Sequence, residues 1–285
     1  MREKRSAFPT TKISSFSNPK VKYIANLKDK RFREKEGRFF LEGYREITRA
    51  VQSDSETGRI SKILPRIKLE ILCISPECFL GENEWDLIES LGIPVWEFPK
   101  QVFEKISYRD RPDGLIAIGS LPDYHWNPCL LDQCKNGLVL VIEGVEKPGN
   151  LGTIIRTADG AGVELLVVTD PRTDIYNPNV IRSSTGVLFQ LPVYSGDTKT
   201  VFSDLKQAGY SILSLTPEAK KPYYSADLKK KSALVFGSEQ YGLSDAAKLD
   251  SDELLSIPMS GAADSLNLAL STGIVLYELL RQRKA

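Results

Sequence analysis

Apolar residues fall into two series of short runs, separated by amphipathic segments and by a polar stretch near the middle of the chain. In the first series, Asn18-Pro19 followed by Val21, Ile24, Ala25 and Leu27 predicts a capped amphipathic helix. The charged residues from Arg31 to Arg38 continue it on a solvated face. Phe39-Phe40-Leu41-Glu42-Gly43 predicts a short strand and a turn into a helix carrying Ile47 and Val51. Further strands are predicted over 71–74, 95–98 and 114–119, with a helix over 85–91 that turns Leu87, Ile88 and Leu91 to one side. Strands separated by helices indicate a compact α/β unit ending near residue 120.

Residues 121–137 mix Pro, Asn and Asp with other polar residues and predict a linker. The second series opens at Leu138-Val-Leu-Val-Ile142, a wholly apolar strand. Helices are then predicted over 151–161, 178–185 and 201–208, and strands over 165–169, 187–194, 210–215, 233–236 and 254–257. A long closing helix over 266–283 has Leu268, Leu270, Ile274, Leu276, Tyr277 and Leu280 as its apolar positions. Continuous apolar strands alternating with helices predict a mainly parallel sheet covered on both faces. The pattern alone carries the fold no further than two α/β units.

Composition agrees with that division. At 285 residues, with 41% apolar and 26% charged, the chain has the length and the core-forming residues for two domains. No apolar run approaches the roughly 20 residues of a membrane span. The opening segment, MREKRSAFPTTKISSFS, is basic but lacks the apolar core of a secretory signal, and residues 1–13 read as a flexible, solvated start. The net charge of +1 hides an asymmetry. Residues 1–50 hold 14 Lys/Arg against 6 Asp/Glu, whereas the remaining 235 hold 24 against 31. A basic end on a mildly acidic body fits a polyanion partner, and equally a Lys-rich solvated helix face. Cys73, Cys78, Cys129 and Cys134 come as two loosely zinc-like pairs. Cys73 lies inside an apolar run and His125 is the sole histidine, so the expectation is buried free thiols, no metal and a reducing, cytoplasmic setting.

Three segments carry candidate chemistry. In Pro148-Gly149-Asn150-Leu-Gly152-Thr-Ile-Ile-Arg156-Thr157-Ala158, Pro148-Gly149 predicts a turn and Asn150 a helix N-cap. An arginine beside a helix start suits a phosphate or a developing oxyanion. Taken alone, the same segment reads as a capped helix with a surface arginine. Gly237-Ser-Glu239-Gln-Tyr-Gly242-Leu follows a strand, and two glycines around one carboxylate predict a tight loop at the sheet edge where parallel folds bind ligands. Ile257-Pro258-Met259 precedes Asp264-Ser265-Leu266-Asn267, in which Ser265 or Asp264 can cap the closing helix and Asn267 projects from its first turn. Neither the dinucleotide G-x-G-x-x-G nor the phosphate loop G-x-x-x-x-G-K-[ST] occurs at these positions.

In this order, and with the closing helix, the three segments resemble the signature motifs of the SpoU/TrmH family over residues 138–285. The resemblance implies an RNA ribose 2'-O-methyltransferase that uses S-adenosylmethionine. It also implies a homodimer whose α/β catalytic domain is tied in a trefoil knot. By motif, Gly237, Ile257 and Leu266, with Leu215, Thr216, Glu239, Gly242 and Met259 around them, correspond to cofactor-binding positions. Arg156 matches the arginine that acts on the ribose hydroxyl, and Asn150, Glu239, Ser265 and Asn267 match the polar positions beside it. A guanidinium with a pKa above about 12 is poorly suited to act as a base, so Arg156 is expected to steady the forming alkoxide or grip the adjacent phosphate. Residues 14–120 resemble the family's L30e-like substrate-binding domain, which agrees with the basic excess of residues 1–50. Large-subunit ribosomal RNA is the expected substrate. A tRNA substrate and a non-catalytic ribosome-associated RNA-binding protein are the alternatives.

Overall fold

The computed structural model describes residues 9–53 and 63–284. The first unit is a five-stranded sheet in the order β1-β4-β3-β5-β2. Its strands are β1 (Thr10–Lys12), β2 (Arg38–Glu42), β3 (Lys68–Ile74), β4 (Val95–Glu97) and β5 (Leu115–Ser120). β1, β4 and β3 run parallel, while β5 pairs antiparallel with β3 and β2. Its helices are α1 (Pro19–Asn26), α2 (Lys30–Glu36), α3 (Tyr44–Gln52), α4 (Asn83–Leu91) and α5 (Lys100–Ile106).

The second unit is a seven-stranded sheet in the order β10-β12-β9-β11-β6-β7-β8, with every pair parallel. Its strands are β6 (Leu138–Glu143), β7 (Leu165–Thr169), β8 (Val193–Gly196), β9 (Ser211–Leu215), β10 (Lys221–Pro222), β11 (Ser232–Phe236) and β12 (Glu253–Ser256). Around it lie α6 (Pro148–Gly160), α7 (Pro178–Ser183), α8 (Thr198–Gln207), α9 (Asp245–Asp250) and α10 (Leu268–Lys284). β6, β7 and β11 are buried at every position, which explains why they read as unbroken apolar runs rather than alternating ones. One set of inward residues (Leu140, Ile142, Leu166, Leu234) packs under α6, α7 and α10, and the other (Val139, Val141, Val167, Val235) under α8 and α9.

Several local expectations are corrected. Residues 10–12, read as part of a flexible start, form the edge strand β1 on β4; residues 1–8 of that stretch lie outside the described residues. α2 does not present all its charges to solvent: Arg33 is 1% exposed. Its guanidinium donates to Asp174 at 2.5 Å and to the carbonyls of Leu27 and Lys28, both at 2.8 Å. The segment 187–194 forms a short 3-10 turn over Val187–Phe189 before β8 starts at Val193. Residues 121–137 pack rather than swing free. The Trp126 N–H donates to the Ser195 carbonyl and the Ser195 N–H to the Tyr124 carbonyl, the Trp126 indole N–H donates to Asp204 at 2.8 Å, and a 3-10 helix spans Pro128–Gln133. Cys73, Cys78 and Cys134 are buried but Cys129 is exposed, so only three of the four thiols fit the buried expectation.

The two units are locked together. Besides the buried Arg33–Asp174 pair, Arg49 of α3 donates to the carbonyl of Thr185 at 2.5 Å and to its hydroxyl at 2.7 Å. Phe39 of β2 packs its ring on Tyr176 and Phe189. Gly186, at φ +80°, brings its backbone so near Glu46 that a Cβ there would stand 2.9 Å from the Glu46 Cα. The first unit is thereby held in a fixed orientation to the parallel sheet.

Candidate active site

Parallel strands direct all their carboxyl ends to one edge, and in β12, β9, β11 and β6 those ends are neighbours. The loops leaving them enclose a cavity of about 520 Å³, inside the range of roughly 300–1,000 Å³ usual for small-molecule sites. Leu215 and Thr216 border it from the end of β9, Gly237, Glu239 and Gly242 from the loop after β11, and Ile257, Met259, Ser265, Leu266 and Asn267 from the segment between β12 and α10.

The loop after β11 is shaped by close backbone approach. A Cβ on Gly237 would lie 2.1 Å from the Gly242 carbonyl carbon, a distance no side chain survives. Ser238 and Gly242 exchange backbone hydrogen bonds of 3.0 and 3.1 Å, and Gly242 turns the chain at φ +65°. Buried Glu143, at the end of β6, anchors the loop's far side: it accepts from the Ser244 N–H at 2.9 Å and the Ser244 hydroxyl at 2.7 Å. The Thr198 hydroxyl also lies 3.2 Å from it. Nothing in the spacing pointed to Glu143, although an acid closing an apolar strand is an available signal.

Three sequence-distant side chains meet at the cavity's rim. Asn150 Nδ2 donates to Glu239 Oε1 at 2.6 Å, and Asn267 Nδ2 donates to Asn150 Oδ1 at 3.1 Å. The second oxygen of Glu239 accepts the Glu146 N–H at 3.3 Å. Asn267 Oδ1 accepts from the backbone N–H groups of Ala269 and Leu270 at 3.0 and 3.3 Å. Asn267 is therefore the residue that caps α10, not Ser265 or Asp264, and it precedes the first turn instead of projecting from it.

Helix α6 likewise starts earlier than expected. Lys147 is its N-cap residue and Pro148 occupies the first turn, where a missing N–H costs nothing. Asn150 is thus inside the helix, free of capping duty, and its amide serves Glu239 and Asn267 instead. Gly152 permits a close approach: a Cβ there would stand 2.0 Å from Ser183 Oγ and 2.6 Å from the Val180 carbonyl oxygen, so α6 and α7 touch through it.

Arg156 is placed apart. It is exposed on α6 and, like Asn150, does not itself line the cavity, whereas Asn150 is hydrogen-bonded to two residues that do. Four residues on, Gly160 faces Tyr277 of α10, whose hydroxyl lies 3.3 Å from where a Gly160 Cβ would be. The apolar face of α10 also differs from expectation. Leu268, Ala269, Thr272, Val275, Leu276 and Leu279 are buried, whereas Leu270 and Tyr277 are 53% and 54% exposed. Lys147, Lys248 and Tyr241 border the cavity as well, and sequence reasoning assigned them no role. Among the described residues no group of three or more His, Cys, Asp or Glu is placed to hold a metal ion, and no helix is long and apolar enough to cross a membrane.

A parallel sheet with its cavity between these loops matches known proteins over nearly its whole length. The model of the SpoU rRNA methylase family matches residues 137–277, and that of the MRM3-like substrate binding domain matches residues 18–117. A 23S rRNA (guanosine(2553)-2'-O)-methyltransferase RlmP of Bacillus subtilis (strain 168) is 30% identical over 268 residues, covering 94% of this chain and 98% of that protein. The chain belongs to the SpoU rRNA methylase family. Solved structures agree. A crystal structure of an RNA 2'-O ribose methyltransferase shares 36% identity at a TM-score of 0.79, with 96% of this chain and 100% of that chain covered. The AdoMet-bound rRNA methyltransferase from Sinorhizobium meliloti is 28% identical at a TM-score of 0.81, with 95% and 98% covered.

Proposed function

We propose that this SpoU-family chain transfers a methyl group from S-adenosylmethionine to a ribose 2'-hydroxyl of ribosomal RNA. The observation that carries the reading is the Glu239–Asn150–Asn267 hydrogen-bonded chain at the rim of a cavity on the carboxyl edge of the sheet. The cavity's lining fits the cofactor: Leu215, Phe236, Ile257 and Leu266 offer apolar surface to an adenine, and the loop at Gly237 leaves backbone groups open to polar atoms. When bound, the cofactor supplies a methyl already activated on a sulfonium leaving group. The protein's task is then orientation and exclusion of water, with little covalent work of its own.

Glu239 fixes the amide of Asn150, and Asn267 is fixed in turn by the first N–H groups of α10. These amides and Ser265 are assigned to holding the target ribose at the cavity mouth. Arg156 is assigned to the hydroxyl oxygen or its neighbouring phosphate, steadying negative charge as it develops. Its exposure, outside the lining of its own chain's cavity, supports a second copy as the recipient. We infer a homodimer across the α6/α10 face, where Leu270, Tyr277 and Arg156 are all exposed. Each Arg156 then serves the partner's cavity.

Residues 14–120 are proposed as the RNA-binding domain, 138–285 as the catalytic domain and 121–137 as the packed connection between them. The sheet order β12-β9-β11, in which the chain recrosses β9 before α10 returns to α6, supports a trefoil knot in the second unit. A cytoplasmic setting follows from a ribosomal RNA substrate. The reading is tested by incubating the protein with methyl-labelled S-adenosylmethionine and unmodified large-subunit rRNA, then hydrolysing with alkali. Label in alkali-resistant dinucleotides is the expected result, and label confined to bases would refute it.

A further inference from the structure

The cavity's rim carries an aromatic ring for which the methyl transfer itself has no use. Tyr241 borders the cavity yet is 62% exposed. Its loop is stiff: Gly237 and Gly242 are in contact, Ser238 and Gly242 are doubly bonded, and the Tyr241 N–H donates to Ser238 Oγ at 3.0 Å. Such a loop could have hidden a small or polar residue at this position, but it presents a large ring to solvent.

One face of the ring is already covered. The Arg172 guanidinium carbon lies 4.7 Å from the ring centroid, within the range of a cation–π contact. Arg172 is oriented by Glu146, whose carboxylate accepts from its Nη1 at 2.9 Å. The N–H of Glu146 donates to Glu239, the carboxylate that also holds Asn150. The loop that carries Arg172 is equally pinned. Asp170 has a left-handed backbone at φ +46° and accepts the Thr198 hydroxyl at 2.7 Å, while the N–H groups of Arg172 and Thr173 both reach the Val145 carbonyl at 3.2 Å. Two residues beyond Arg172, Asp174 receives the buried Arg33 of the first unit. The Arg172–Tyr241 stack is therefore fixed to the polar rim on one side and to the first domain on the other.

We propose that Arg172 and Tyr241 form a stacking platform for an unpaired RNA base next to the ribose that is methylated. Single-stranded RNA is recognised by stacking splayed bases on aromatic rings and guanidinium planes, and this ring offers a free face on a rigid support beside a cavity. The inference rests on the RNA methyltransferase reading and adds to it a substrate feature, a target nucleotide whose neighbourhood is unpaired.

The test uses the full-length protein, an unmodified transcript of large-subunit rRNA, and S-adenosylmethionine. Tyr241→Ala is expected to raise KM for the RNA by roughly 5- to 100-fold, the range of a lost base stack, with a proportionally smaller fall in kcat. Its affinity for S-adenosylmethionine, measured by calorimetry, is expected to stay within about twofold of wild type, which also reports a folded cavity. Tyr241→Phe is expected to recover most of the RNA affinity, and Tyr241→Leu, apolar but smaller and without a π face, is not. Loss of cofactor affinity in Tyr241→Phe, or equal RNA affinity in the Phe and Leu variants, overturns the platform. RNA affinity is also read by filter binding without turnover, so a wild-type protein that never methylates the transcript refutes the methyltransferase reading separately.

Discussion

Asn150 donates its side-chain N–H to Glu239 across 2.6 Å, joining residues 89 positions apart in the sequence. Neither side chain is needed to end or cap the helix or strand beside it. The pair ties α6 to the loop after β11, and Asn267 extends the tie to the start of α10. Asn150→Asp would set two carboxylates against each other at this distance, where both cannot be ionised. Methyl transfer by Asn150→Asp is expected to fall at least about tenfold at neutral pH, and to recover partly toward about pH 5 as the pair takes up a proton. A pH–rate profile checks this, and a profile parallel to wild type would separate the pair from the reaction.

Gly237→Ala tests the loop itself. With the added Cβ 2.1 Å from the Gly242 carbonyl carbon, the loop must open. Affinity for S-adenosylmethionine is expected to drop by about tenfold or more, with a stability loss of roughly 1–3 kcal/mol from overpacking. Calorimetric titration and thermal melting read the two effects independently.

The homodimer reading makes a complementation experiment decisive. Arg156→Ala and Gly237→Ala are each expected to be inactive as homodimers. Mixed dimers are expected to regain activity, because the intact cavity of the Arg156→Ala chain receives the arginine of the other. Mixtures that stay inactive would place Arg156 in service of its own chain's cavity.

The domain junction depends on Arg33. Its guanidinium and the Asp174 carboxylate are 1% and 9% exposed, so removing the cation strands a buried anion. Arg33→Met is expected to cost about 3–5 kcal/mol, and the pairing of Arg33→Met with Asp174→Asn to recover part of it. Denaturant unfolding of the full chain measures both.

Glu42 links stability to pH. Burial pushes its carboxyl above the ordinary value, against the lowering effect of the Ser107 hydroxyl, the Tyr108 N–H and the Arg109 charge. The folded chain therefore holds this proton to a higher pH than the unfolded chain, and ionising it opposes folding. Relative to Glu42→Gln, which does not titrate, wild type is expected to lose stability as pH rises through and above the ordinary carboxylate range. Denaturation midpoints for both proteins across that interval decide it.

The parallel sheet was legible because β6, β7 and β11 bury both faces, and a strand with no solvent side cannot hide its apolar run. The motif positions Gly237, Glu239, Gly242, Ile257, Met259 and Leu266 line one cavity, together with Leu215 and Thr216, which lie outside the three segments. What stayed hidden depends on partners distant in sequence. Arg33 looks like any charge on a helix until Asp174, 141 positions away, packs against it. The N-terminal strand β1 is mixed and polar because it is an edge, and only pairing with β4 reveals it. Helix starts at Lys147 and Asn267 were displaced by two or three residues because Pro148 tolerates the first turn and two neighbouring residues, Ser265 and Asp264, could cap equally well.

Titration of the purified chain with S-adenosylmethionine in a calorimeter tests the central claim most directly. The account predicts saturable binding at one site per chain in wild type, retained in Arg156→Ala and weakened by about tenfold or more in Gly237→Ala. A folded wild-type protein that releases no binding heat with the cofactor or with its demethylated product, at several temperatures, would contradict it.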